Sequence, residues 1–138
     1  MEKLIFFLLF LFSCSFIENS YSNNNIHRVD KDYYLNGNLK YEVSYMHDKL
    51  DGESKSWDID GNLISLVEYK SGLLHGKWMS YYPSGKLKHF VNYMNGEKNG
   101  KEIWFHANGQ LQSESYYNNG VMEPRIKRWN QNGEEIIN

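Results

Sequence analysis

The sequence predicts an all-β chain: an extended antiparallel β-meander of stacked 24-residue hairpin repeats. Three observations predict it. Gly37, Gly61, Gly85, Gly109 and Gly133 stand 24 residues apart. Tyr45, Tyr69, Tyr93 and Tyr117 keep the same spacing, each eight residues after a glycine. Between these markers the chain alternates: from Lys86 to Met94, Leu87, Val91 and Tyr93 fall on one face and Lys88 and Asn92 on the other, the pattern of a half-buried strand.

Composition agrees. The chain has 138 residues, enough for one domain, with 16% aromatic residues, eleven glycines and only two prolines. That mixture suits short strands joined by tight turns. Acids and bases are interspersed at a formal net charge of -2, so neither a basic stripe for nucleic acid nor an acidic tail is present.

In chain order, residues 1–14 read as a signal. Lys3 precedes an apolar run from Leu4 to Phe12, shorter than the roughly 20 residues of a spanning helix and matching the apolar part of a secretory signal. The single cysteine, Cys14, follows Leu11-Phe12-Ser13. This resembles the lipobox of bacterial lipoproteins, which implies acylation of Cys14; Phe12 is larger than the residue usual at its position. Cleavage after Ser20-Tyr21-Ser22 and an uncleaved anchor are the other two readings. One cysteine allows no intramolecular disulfide, so the folded part must hold together by packing. Residues 15–32 are polar, include Asn23-Asn24-Asn25, and read as a tether.

Residues 33–138 carry about four and a half repeats. Leu39, Leu63, Leu87 and Leu111 recur two residues after the first glycine column. Gly72, Gly96 and Gly120 form a second column, and Gly52, Gly76 and Gly100 a third. Trp57, Tyr81, Phe105 and Trp129 complete the set. Asn95-Gly96 is a hairpin signal, because a type I′ turn needs positive φ at both central residues. All the glycine columns are read as points where the chain reverses, with positive φ at Gly85 and Gly109. The spacing implies roughly nine strands, each paired with its sequence neighbour. The outer units depart from the pattern. Asp48 stands where a turn glycine is expected, and Glu123-Pro124 where the last member of the third column belongs. Terminal units of a stacked array lack a neighbour on one side and are commonly atypical.

The unit Y-x-x-G-x-L-x-x-x-x-x-Y-x-x-G-x-x-x-G-x-x-x-x-Y resembles the bacterial variant of the MORN repeat. Tyr82-Pro83-Ser84-Gly85-Lys86-Leu87 and Gly76-Lys77-Trp78-Met79-Ser80-Tyr81-Tyr82 carry the resemblance most closely, and it covers about Tyr33 to Ile137. It implies a single, curved antiparallel sheet. Some members, the YwqK-like group, are described as antitoxins or immunity proteins, which makes neutralisation of a toxin one reading of function.

No catalytic or metal site is expected. Asp58-Ile59-Asp60-Gly61-Asn62 has the look of a calcium loop, but Asp60 shares its column with Asn36, Ser84, Asn108 and Asn132, all turn residues before glycine. A calcium loop would also need Val67 as its bidentate acid. His47 and His75 fall at hairpin ends, His89 and His106 within strands, and no two have metal-ligand spacing on one face. No glycine run opens a helix to hold phosphate. Neither an enzyme nor a cofactor is expected.

Recurring residues read as scaffold: the glycines at 37, 61, 85, 109 and 133 and the tyrosines at 45, 69, 93 and 117. Residues that break the columns are the candidates for a binding surface. Trp78 stands with Ser54, Glu102 and Ile126; Trp104 with Ser56, Ser80 and Arg128; Phe90 with Glu42, Leu66 and Glu114. Large aromatics that the repeat does not require suit a protein-protein anchor or the filling of local gaps. The expected function is a non-enzymatic, exported protein-binding scaffold at the cell envelope, membrane-anchored in preference to freely secreted. Toxin neutralisation and recognition of an envelope glycan or lipid head group are the alternatives. A protein partner and the membrane are expected as partners; nucleic acid and small substrates are not.

Overall fold

The computed structural model describes residues 27–137, so the expected signal and Cys14 lie outside the described residues. Eight strands follow one another across one open, curved antiparallel sheet: β1 (His27–Tyr33), β2 (Leu39–Met46), β3 (Lys49–Trp57), β4 (Leu63–Lys70), β5 (Leu73–Tyr81), β6 (Leu87–Met94), β7 (Glu97–Phe105) and β8 (Leu111–Asn118). Two strands of two residues, β9 (Val121–Met122) and β10 (Lys127–Arg128), both pair with the outer edge of β8. Among the described residues there is no helix.

Ten strands thus stand where roughly nine are expected, and both differences lie at the ends. β1 takes up His27 to Asp32, the last part of the expected tether, and pairs along its length with β2. β9 and β10 are one interrupted strand. Their register to β8 shifts by two residues between Tyr117↔Met122 and Glu114↔Lys127, as β5 shifts against β4. Pro124 stands in the gap, where earlier units carry a glycine, and a proline lacks the N–H that a strand uses.

The turns are of two kinds. At one end of the sheet, two-residue turns join the strands, and both residues have positive φ, as at Asn95 (50°) and Gly96 (90°). This is the type I′ geometry, whose twist matches that of the strands. At the other end a longer, five-residue loop recurs every repeat: in Tyr82 to Lys86, the Gly85 N–H donates to the Tyr82 carbonyl and the Tyr82 N–H to the Lys86 carbonyl, both at 2.8 Å. There only the glycine has positive φ, 78° at Gly85 and 94° at Gly109. The third glycine column does not reverse the chain, contrary to expectation. Gly52, Gly76 and Gly100 lie inside β3, β5 and β7 at bulges. At Gly76 the bulge brings the backbone under the Glu68 side chain, whose Oε2 accepts from the Lys77 N–H at 2.7 Å.

Pairing in register lines side chains into rows across the sheet. One face carries the tyrosines at 45, 69, 93 and 117, together with the row Val43–Ser54–Val67–Trp78–Val91–Glu102–Ser115. The opposite face carries the row Lys55–Leu66–Met79–Phe90–Ile103–Glu114. A single layer has no second layer to cover it. Val91, in the middle of the tyrosine face, is the only hydrophobic residue among those described that is fully buried. Cohesion therefore rests on cross-strand side-chain pairs and the backbone ladder. A further ladder joins successive loops: the Tyr34 hydroxyl donates to the Trp57 carbonyl at 2.8 Å and that of Tyr82 to the Phe105 carbonyl at 2.7 Å. His106 holds the same place in the next repeat, with Nε2 2.9 Å from the Trp129 carbonyl. It opens a loop just past β7, whereas the sequence places it in a strand.

Candidate binding face

The tyrosine face changes character in its middle. β6 brings His89, Val91 and Tyr93 to this face, β5 brings Trp78, and β7 brings Lys98, Glu102 and Trp104. Strand alternation puts every second residue there, and the register fixes who meets whom: His89 lies between Ser80 and Trp104, Val91 between Trp78 and Glu102.

These side chains form one connected group. The His89 ring stacks on the Trp104 indole, with centroids 3.9 Å apart and planes at 24°. Trp78 meets the edge of His89 at 6.2 Å and lies 6.0 Å from the Tyr93 ring. His89 Nε2 donates to Glu102 Oε1 at 2.9 Å, and Lys98 Nζ donates to the same oxygen at 2.7 Å. The Lys98 ammonium also sits 4.7 Å above the centre of the Tyr117 ring.

Burial and charge oppose one another here. His89 and Glu102 are each 7% exposed. Burial holds the His89 imidazole below its ordinary pKa, against the pull of the neighbouring carboxylate. Burial works against the Glu102 carboxylate too. Hydrogen bonds from Lys98, His89 and Tyr117 outweigh it and hold the group below the usual carboxylate range. Lys98 is raised despite partial burial, because its ammonium donates a hydrogen bond to the Glu102 carboxylate and is attracted by its charge. Near neutrality the arrangement is a neutral imidazole between an indole and a carboxylate-ammonium pair.

Above this buried polar floor the two indoles remain accessible, Trp78 36% and Trp104 37% exposed. They stand on alternate strands with His89 between them, so the face presents two exposed rings held at fixed spacing. Of the three candidates read from the sequence, Trp78 and Trp104 share this face. Phe90 does not. It lies between His89 and Val91 in the strand, pairs with Met79 and Ile103, and points to the opposite face. The scaffold tyrosines at 45, 69, 93 and 117 line the tyrosine face half-buried, and the glycines at 37, 61, 85, 109 and 133 all sit in the loops with positive φ.

Lys98, Glu102 and His89 are functional candidates that column-breaking by size passes over. Each nevertheless leaves a signal. Lys98 stands in a column of Leu50, Leu74 and Met122, Glu102 shares its column with Trp78, and His89 sits among Tyr41, Ser65 and Ser113.

The model of the MORN repeat variant matches four stretches of the chain, residues 31–47, 50–71, 74–95 and 98–119, which together make up more than half of it. Each of the last three stretches spans one hairpin of the sheet, β3–β4, β5–β6 and β7–β8. No curated protein matches the sequence. Four matched repeats in an unbroken antiparallel meander establish that the chain belongs to the MORN repeat variant family.

Proposed function

We propose that this chain is a non-enzymatic scaffold that binds another protein through the tyrosine face, with Trp78 and Trp104 as its anchors. The observation that carries the reading is the pair of exposed indoles on a buried, hydrogen-bonded polar floor. His89 and Glu102 fix the floor, so the rings lose little freedom when a partner covers them. Trp is among the residues enriched at binding hot spots, and an open face without a deep cleft suits a macromolecule better than a small substrate.

The proposal extends to location. The Leu4 to Phe12 run and Cys14 support export and acylation, which would hold the sheet at the cell envelope on residues 15–26. A toxin in the same compartment is one class of partner, supported by the resemblance to the YwqK-like group alone.

One experiment in the native cell tests both parts. A photo-crosslinking residue is placed at position 78 or 104, with position 59, an exposed turn, as control. Discrete adducts with another protein at 78 and 104, in the membrane fraction, are expected, and Cys14→Ser should release the chain from the membrane or trap its precursor. Adducts equally strong at 59, or none at 78 and 104, would remove the tyrosine face as the binding site. An intact mass showing a mature chain that begins at Asn23 would remove the lipid anchor.

A further inference from the structure

We propose that the opposite face is an interface with a second copy of this chain, the two sheets packed face to face about a two-fold axis. The axis lies along the strands, between β5 and β6. This goes beyond the proposed partner on the tyrosine face, which it leaves uncovered.

The inference rests on the order of residues in one row. Across the opposite face, the register places Leu66, Met79, Phe90 and Ile103 side by side on four successive strands. Lys55 follows Leu66 on β3, and Glu114 follows Ile103 on β8. One strand further out stand Glu42 on β2 and Lys127 on β10. The row is thus four apolar residues bounded by charges, and its two ends have opposite signs at equal distance from the centre.

A two-fold axis along the strands turns this row over and reverses it. Met79 then meets Phe90 of the second copy, and Leu66 meets its Ile103. Lys55 meets Glu114 of the second copy, and Glu42 meets its Lys127. The neighbouring row behaves the same way. Glu68 on β4 and Lys101 on β7 lie at equal distance from the axis, so each meets the other across the interface. No like charges meet along either row. Self-complementarity of this kind is what an isologous dimer requires, because one patch must serve both sides.

Lys55 already pairs with Glu53 of its own strand and Glu68 accepts from the Lys77 N–H, so the charges of the second copy would join these contacts. Glu114 reaches Lys101 only at 3.4 Å, with the Lys101 side chain about half exposed, and Lys127 and Glu114 border an open cleft beside the broken outer strand. Lys31 holds Glu42 at 3.0 Å, and Lys127 of the second copy would join that pair. The footprint is adequate. Strands lie about 5 Å apart, so β3 to β8 covers about 24 Å; with about 25 Å along the strands this gives on the order of 600 Å² of flat area, near the roughly 800 Å² per partner of ordinary stable interfaces. Aligned sheets pack about 10 Å apart, which the side chains of the central row fill.

The test is a charge exchange read by sedimentation equilibrium on the full chain in density-matched, non-ionic detergent. The wild type should sediment as a concentration-dependent dimer. Lys55→Glu should raise its dissociation constant about tenfold or more, since the substituted side chain then sets a second carboxylate against Glu114 at both symmetry-related contacts. Glu114→Lys should do the same. The double exchange restores opposite signs at both contacts and should return the constant to near the wild-type value, which a merely unfolded variant would not do. Phe90→Ser should weaken the dimer while leaving the far-ultraviolet circular dichroism unchanged. A monomer at about 100 µM would overturn the proposal. So would a dimer indifferent to Lys55→Glu and Phe90→Ser, as association through the first 26 residues would be, or a double exchange that fails to recover.

Discussion

The hairpins β4–β5 and β6–β7 are one repeat apart and share a backbone. Their turns have nearly the same φ values, 51° and 88° at Ser71-Gly72 against 50° and 90° at Asn95-Gly96. Both carry a glycine bulge in the second strand, and both shift register by two residues there. On the tyrosine face they differ at four positions, while Val67 and Val91 correspond. Ser65, Leu74, Trp78 and Ser80 in the first become His89, Lys98, Glu102 and Trp104 in the second. The first hairpin is apolar or hydroxylic on that face; the second encloses a charge network. The difference teaches that scaffold and site occupy separate positions in each unit. Glycine and tyrosine columns set the chain's path, and the remaining positions change without disturbing it.

The contrast should be widest in a single substitution of the carboxylate. Glu102→Ala leaves His89 without its acceptor and Lys98 without its counter-charge. Breaking one partner from a buried, hydrogen-bonded set costs about 2–3 kcal/mol, measured as a shift in the urea midpoint. Converting the whole set to residues that the other units use, His89→Ser, Lys98→Leu and Glu102→Ser together, removes the charges as well as their partners. That triple variant should stay within about 1 kcal/mol of the wild type, since a buried charge network gains little over an uncharged one. A triple variant as unstable as Glu102→Ala would mean that the network, not its incompleteness, holds the third unit.

Much of this was legible in the sequence. β2 to β8 follow from columns 24 residues apart, because each column must satisfy the same neighbour in every unit. β1 was not, since His27 to Asp32 precedes the first glycine and its alternation of charges reads as a solvated segment. The role of the third glycine column was ambiguous for a physical reason: a turn and a bulge both demand positive φ, so Gly100 after Asn99 looks like a reversal. At the candidate site, Trp78 and Trp104 announced themselves by size. Lys98 did not, because a lysine near a hairpin end has the look of surface, and only its leucine counterparts at 50 and 74 mark it as unusual.

The bulges offer a finer comparison of the same two hairpins. A Cβ on Gly76 would run into the Glu68 carboxylate, which would have to release the Lys77 N–H. A Cβ on Gly100 would meet nothing closer than Asn92 Nδ2 at 3.6 Å. Both glycines have positive φ, 106° and 93°, so alanine is strained at either. Strain alone costs about 1 kcal/mol or somewhat more, and the lost hydrogen bond adds about 1 kcal/mol at Gly76 only. Gly76→Ala should therefore unfold at lower urea than Gly100→Ala. Equal midpoints would mean that Glu68 moves aside freely and that its contact with β5 contributes nothing.

The smallest expected effect is also the most specific to the second hairpin. His89 is held below its ordinary 6.5 by burial, whereas its counterpart Ser65 does not titrate. Between the lowered folded-state pKa and 6.5 the unfolded chain binds more protons than the folded one. His89 therefore detracts nothing well above pH 6.5, and stability falls as pH drops from 6.5 toward the folded-state pKa. Glu102 acts in the same direction but only below its ordinary 4.5, where acid protonates the lowered carboxylate, so pH 5.5 separates the two groups. Urea midpoints at pH 7.5 and 5.5 should differ more in the wild type than in His89→Gln, which keeps a hydrogen-bond donor to Glu102 but cannot take up a proton. The same difference in both proteins would mean that solvent reaches His89 freely. A wild type more stable at pH 5.5, with that gain lost in His89→Gln, would mean that attraction to Glu102 outweighs burial and that the imidazole is charged in the folded state.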